Sequence, residues 1–183
     1  MLGTTAPDEK LVARALKGSN SAWTSLVKRY EQRIYNYALR MVGHPDDAFD
    51  LMQEVFVGVH KNLATYRGDG AFPAWLFRIA NFRCTDYLRR RRFFDEYDES
   101  ADPAPAEASP ELAAMSTHAN QQISEALARL PVDQRQVVEL KFFQQFTFED
   151  IGEQLGISPN TAKTRLYSAL KKLKSEEELR NAL

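Results

Sequence analysis

Only one cysteine, Cys84, stands in this chain of 183 residues, so no internal disulfide can form. Three histidines occur, His44, His60 and His118, scattered without the spacing of metal ligands. No stretch approaches the ~20 consecutive apolar residues of a membrane span. Met1 to Lys10 holds no apolar run preceded by basic residues, as a secretory signal would. Strand-like alternation between turn residues is lacking, and no repeat recurs. These absences argue against a disulfide-stapled, metal-centred, secreted or membrane-inserted protein. The cytoplasm is the default compartment, and no cofactor, metal or small-molecule substrate is called for.

Net charge is also small, −1, which taken alone speaks against a nucleic-acid binder. Its distribution reverses that. Residues 1–92 hold 15 Lys+Arg against 9 Asp+Glu, residues 93–115 hold 7 acids and no base, and residues 116–183 hold 9 of each. A basic domain, an acidic tether and a neutral domain describe the chain better than one isoelectric point. The tether carries Pro103, Pro105 and Pro110 among its acids and buries little. Fully extended, it spans roughly 75 Å.

Outside the tether the periodicity is helical. Helices are expected over Asp8–Lys17, Ala22–Val42, from a cap at Asp46 or Asp47 to Tyr66, and over the segment from Pro73 to Arg92. Beyond the tether, Ile123, Ala126, Leu127 and Leu130 mark another helix. Pro131 ends it and starts one more, through Phe143. The fold expected is all-α: two small helical domains, 1–92 and 116–183, joined by the flexible acidic linker 93–115.

The sharpest local signal runs from Phe146 to Lys174, where two short helices meet at a tight turn. Gly152 is small where the helices cross. Gly156 suits a left-handed helix stop. Ser158 is a good N-cap, followed by Pro159 at the first helical position. Ala162, Leu166, Ala169, Leu170 and Leu173 form a buried stripe. Asn160, Thr161, Thr164, Arg165 and Ser168, with Lys163 beside them, are then free to meet base edges and phosphates in a duplex groove, or form the solvated face of an ordinary helical hairpin.

Two further patterns lie in the basic domain. Arg78, Asn81, Thr85 and Arg89 share one helix face, and the helix ends in Arg89-Arg90-Arg91-Arg92, a run suited to a phosphate backbone. Phe72, Trp75, Phe77 and Phe82 put aromatics among these cations. They would stack on unpaired bases or equally fill the core. Asp47, Asp50 and Glu54 form an acidic face that would dock a basic protein surface. A solvated face with acids at a helix N-terminus reads the same way.

Together these residues resemble a known family. Asp50-Leu51-Met52-Gln53-Glu54-Val55-Phe56, Tyr66-Arg67-Gly68-Asp69, Ala74-Trp75-Leu76-Phe77-Arg78-Ile79-Ala80 and Asp86-Tyr87-Leu88-Arg89-Arg90 resemble region 2 of the bacterial group 4 (extracytoplasmic-function) sigma factors. Leu130-Pro131, Gln134-Arg135, Phe148 to Gly152 and Leu155 to Leu166 are similar to region 4. The resemblance covers about residues 8–175. It implies a transcription initiation subunit with no catalytic residues of its own. Its partners would be core RNA polymerase and promoter DNA. On the polymerase these are the clamp helices of the largest subunit and the flap of the second-largest.

On this resemblance Asp47, Asp50, Gln53 and Glu54 meet the polymerase. Arg67, Phe72, Trp75, Arg78, Asn81, Phe82 and Arg89 to Arg92 open and read the −10 element. The helix from Ser158 reads the −35 element. The acidic segment threads toward the active site and RNA channel. Family members are often held by an anti-sigma factor, and nothing in the sequence identifies one. Three positions depart from the family pattern. Phe49 replaces a common acid, Phe82 a common Asn and Ala162 a commoner Val. The first bears on a clamp contact, the second on the −10 base preferred, the third on packing.

Two other readings share some of these features. A stand-alone regulator would use only the C-terminal helix pair, but that domain is neutral, and DNA affinity grows with phosphates neutralised. A decoy that binds only an anti-sigma factor would not need the arginine run or the polar recognition face. Cys84, inside a helix with no histidine nearby in sequence, reads as packing rather than as a nucleophile.

Overall fold

The computed structural model describes residues 6–68, 70–95 and 118–182, and every regular element among them is helical. Four helices form the first bundle: α1 (Asp8–Leu16), α2 (Asn20–Val42), α3 (Pro45–Asn62) and α4 (Phe72–Asp95). A single 3-10 turn, Leu63–Thr65, follows α3. The second group holds α5 (His118–Ala128), α6 (Val132–Val138), α7 (Phe148–Leu155) and α8 (Pro159–Ala182). Helix α6 runs directly into a π-helical turn, Glu139–Phe143.

Helix α2 is the axis of the first bundle. Ser19 caps its N-terminus by accepting from the Ala22 N–H, and Gly43 closes it in the left-handed conformation, φ 81°. Tyr30, Ile34, Tyr35, Tyr37, Ala38, Leu39 and Met41 are all buried, so α2 is largely enclosed from Ile34 to its end. Helices α1, α3, α4 and α5 supply that cover. Each large apolar side chain sealed there contributes about 1.5–3 kcal/mol. Asp8 ties α1 to α2 by accepting from both Arg29 and Tyr30.

Two boundaries differ from expectation. Helix α3 starts at Pro45 with His44 as its N-cap, so Asp46 and Asp47 sit in the first turn rather than at the cap. Proline's fixed φ favours the first helical position, which moves the start upstream of both acids. Helix α4 continues through Asp95, past Arg92. The remaining tether positions, 96–115, lie outside the described residues. The two groups also pack on one another. Leu127, Leu130, Val137, Val138 and Leu140 belong to the same buried cluster as Leu39, Met41 and Phe77.

Candidate nucleic-acid interface

The turn between α7 and α8 is built from local chemistry. Thr147 and Asp150 form a reciprocal capping box at the start of α7. Gly156, at φ 66°, ends α7, and the N–H groups of Gly156 and Ile157 both reach the Gly152 carbonyl. A Cβ on Gly152 would stand 2.7 Å from the Ile157 carbonyl oxygen, so only glycine fits that crossing. Ser158 Oγ accepts from the Thr161 N–H at 3.0 Å and fixes the first turn of α8.

Helix α8 then divides by face. Ala162, Leu166 and Ala169 are buried, whereas Leu170, expected in the same stripe, is 37% exposed. Position 170 rotates past the seam that α6 and α7 cover. Asn160, Thr161, Lys163, Thr164 and Ser168 all face solvent. Arg165 is half-buried, its Nε 3.4 Å from Asp133 Oδ2 on α6. Tyr167 was missed by the sequence reading. It stands exposed between Thr164 and Ser168, and an aromatic inside an otherwise polar helix segment was its signal.

The second surface lies around α4 and the loop before it. Gly68 takes φ 75°, and the Tyr66 hydroxyl donates to the Gly70 carbonyl at 2.7 Å, closing the loop. The rings of Tyr66, Phe72 and Trp75 pack with centroids 5.5–5.8 Å apart. Phe72, which helical spacing puts on the core face and the resemblance among the −10 residues, is only 1% exposed and packs on Tyr30, so it supports the loop from beneath. Phe77 is core as well, touching Tyr37 and Phe146. Phe82 is different: it is 64% exposed and borders a hollow of about 390 Å³ with Arg78, Arg83 and Trp75. Phe72 and Phe77 therefore fill the core, and Phe82 is open to solvent.

Arg67 and Arg78 are exposed and share a cavity of about 510 Å³ with Tyr66 and Trp75. Its far wall is α7, with Asp150, Glu153 and Gln154. Asn81, expected on the reading face, is buried. Its Oδ1 accepts from Tyr37 Oη at 3.0 Å and from Gln136 Nε2 at 2.8 Å.

The arginine run is not left unpaired. Asp86 holds Arg89 at 2.6 Å and Arg90 at 2.7 Å, one on each carboxylate oxygen. The Arg89 hydrogen bond, with both positive charges, pulls its carboxyl below the usual carboxylate range. Arg91 lies 3.7 Å from Asp47 and 3.4 Å from Tyr87 Oη. Arg89 and Arg90 nonetheless keep most of their surface in solvent, so phosphates can compete for them.

On α3, Asp50, Gln53 and Glu54 point outward together. Asp47 is engaged by Arg91 and by His44 at 3.6 Å, so it belongs partly to the α3–α4 seam. Next to Gln53 opens an apolar groove of about 460 Å³ between α2 and α3, lined by Trp23, Val27, Met52, Phe56 and Val57. The sequence reading missed it. Phe56 and Val57, just off the buried Leu51–Val55–Val59 stripe, were its signal. Phe49 is half-buried against the core. Cys84 is fully buried, and burial pushes its thiol well above the ordinary value, so it serves packing.

Known proteins resemble this chain in sequence and fold. Residues 26–94 match the family model Sigma-70 region 2, and residues 120–173 match Sigma-70, region 4. The RNA polymerase sigma factor CarQ of Myxococcus xanthus is 34% identical over 86% of this chain and 90% of its own length. The ECF RNA polymerase sigma-E factor of Escherichia coli (strain K12) is 30% identical over 88% of this chain and 90% of its own. Among solved structures, CnrH in complex with the cytosolic domain of CnrY superposes with TM-score 0.71 at 25% identity, covering 94% of this chain and 97% of that one. The sigma factor RpoE bound to the anti-sigma factor NepR from Bartonella quintana shares the fold, with TM-score 0.69 at 21% identity, covering 83% and 94%.

Proposed function

The chain belongs to the sigma-70 family, in its extracytoplasmic-function group, and on that footing we propose a division of labour among its surfaces. As a sigma factor it binds core RNA polymerase and directs promoter-specific transcription initiation. The outward face of α8 (Asn160, Thr161, Lys163, Thr164, Ser168) reads the −35 element from the major groove, with Arg165 and Tyr167 at its margin. Arg67, Arg78, Phe82 and the exposed arginines at the end of α4 grip and open the −10 element. Trp75 and Phe72 stiffen the loop, and Asn81 joins the reading face once α6 moves away. Asp50, Gln53, Glu54 and the groove beside them receive the polymerase clamp. The region 2 unit is taken as 1–92 and the region 4 unit as 116–183, with 93–115 as the tether.

One observation supports this reading most: a single chain carries two unlike nucleic-acid surfaces. One is a polar helix face shaped for intact duplex, the other an aromatic and basic surface suited to opened strands. The sigma factor RpoE is in complex with an anti-sigma factor, and a partner of that kind is proposed for this chain. On this reading it works in the cytoplasm, beside RNA polymerase. No helix among the described residues is long and apolar enough to cross a membrane. Photocrosslinking from Phe82 and from Thr164 in a promoter complex tests the assignment. Phe82 should mark bases near −10 and Thr164 bases near −35. Adducts at one shared position, or at neither, would refute it.

A further inference from the structure

We propose that Asp47 is shared between polymerase and DNA: it meets the clamp and, through Arg91, sets how readily α4 holds a promoter phosphate, so that each ligand helps the other to bind. The inference rests on α3 being the polymerase face and α4 the −10 reader. Toward DNA, Asp47 is then a positioning residue that acts through Arg91.

The observation behind it is where the arginines of α4 find their acids. Arg89 and Arg90 both pair with Asp86, on their own helix and about one turn away. Arg91 reaches across to α3 instead, its Nη1 3.7 Å from Asp47 Oδ2. That ion pair joins an arginine of the DNA surface to an acid of the polymerase surface. Tyr87, one turn before Arg91, completes a triangle. Arg91 Nη1 donates to its hydroxyl at 3.4 Å. Burial, and then a hydrogen bond to Asp47, raise the Tyr87 phenol above its ordinary value, which marks the hydroxyl as a donor to that carboxylate. His44, the N-cap of α3, stands 3.6 Å from the same Oδ2, but its Nδ1 is sealed from solvent without a hydrogen bond. The donors that hold the carboxylate therefore come from α4.

The pair is open enough to change partners, with the Asp47 side chain 33% and the Arg91 side chain 39% exposed. A basic clamp surface that takes Asp47 leaves Arg91 to a phosphate. A phosphate that takes Arg91 leaves Asp47 to the clamp. Whichever ligand arrives first parts the two residues, and the second binds without that cost. Linkage makes the gain equal in both directions. A pair this exposed changes an equilibrium by at most about fivefold, which sets the size of the effect. Asp86 cannot couple the two ligands in this way, because both its partners lie on its own helix.

The test is a double-mutant cycle on the full chain, with Asp47→Asn, Arg91→Gln and the two combined. The first readout is affinity for core polymerase without DNA. Arg91→Gln should bind core about threefold more tightly than wild type, although the change lies on the DNA surface, because Asp47 is released to the clamp. Tyr87→Phe, which alters no charge, should shift core binding in the same direction. The second readout is affinity of the chain for a mixed-sequence single-stranded DNA. Asp47→Asn should raise it about threefold, a gain that an acid serving only the α3–α4 seam would not give. Each gain should vanish when the other residue is already changed. Core binding that is unchanged or weaker in Arg91→Gln overturns the proposal. So does a gain that persists in the combined background, since net charge acting at a distance would then explain it. Failure of the underlying reading shows elsewhere. Core binding kept by Asp50→Arg would take α3 out of the polymerase interface. DNA binding kept by Arg78→Ala with Phe82→Ala would take α4 out of the DNA surface. Either result removes the coupling with it.

Discussion

Gly152 and Ile157 meet across the helix–helix turn so closely that a Cβ on the glycine would lie 2.7 Å from the Ile157 carbonyl oxygen and 3.3 Å from the Pro159 nitrogen. Both are backbone atoms, so neither can swing aside. Gly152→Ala should cost about 1–3 kcal/mol through overpacking, despite alanine's better helix propensity. Gly58 is the control. A Cβ there meets only Arg83 and Ile79 side chains at 3.6 Å, and Gly58→Ala should be neutral or stabilising by up to about 1 kcal/mol. Urea denaturation of the two variants checks both signs.

Asp86 neutralises part of the arginine run, because it pairs with Arg89 and Arg90 at once. Asp86→Asn should release both guanidinium groups and steepen the salt dependence of open-complex formation. Arg90→Ala with Arg91→Ala should flatten that dependence, by about one to two in the log–log slope. Permanganate footprinting across a salt series reads both. An unchanged slope in the double variant would remove these arginines from the phosphate contacts.

Phe82 is available to DNA, unlike Phe72 and Phe77, because most of its ring is in solvent. Phe82→Asn should change which −10 base is preferred and leave thermal stability nearly unaltered. Selection from a randomised −10 library compares the two proteins. The same preferred base in both would mean that the exposed ring does not read sequence.

Asp50 is exposed on α3 beside Gln53 and Glu54, whereas Asp47 is engaged by Arg91 and His44. Asp50→Arg should abolish binding to core polymerase while the circular dichroism spectrum stays that of wild type. Asp47→Ala should weaken binding less, and should also loosen the α3–α4 seam. Analytical gel filtration with core enzyme separates bound from free chain. Full binding by Asp50→Arg would take this face out of the interface.

The sequence was most informative where structure is set by near neighbours. Gly156, Ser158, Pro159 and the buried Ala162, Leu166 and Ala169 could be placed without coordinates, since caps, turns and periodicity act within a few residues. The boundary of α3 was misplaced by the same local logic, because Pro45 outweighs the capping acids that follow it. Long-range partners were out of reach. Asn81 looked like a surface residue because Tyr37 and Gln136 lie 44 and 55 residues away. Arg40 and Glu139 pair across 99 residues of sequence, and nothing near either residue signals the other. Aromatics were ambiguous for a related reason. Periodicity gives the face of a helix, but the neighbouring elements decide whether that face is covered, as for Phe72, or open, as for Phe82.

Run-off transcription with purified core RNA polymerase, with and without this chain, on a library of promoter fragments tests the central claim most directly. Transcripts should start at discrete sites only when the chain is present, from fragments that share two elements about 25 base pairs apart, a separation that the tether and the two helical units can span together. Core enzyme that starts at the same sites without the chain, or that stays silent with a folded and polymerase-bound chain on every fragment, would contradict the assignment of promoter reading to these two surfaces.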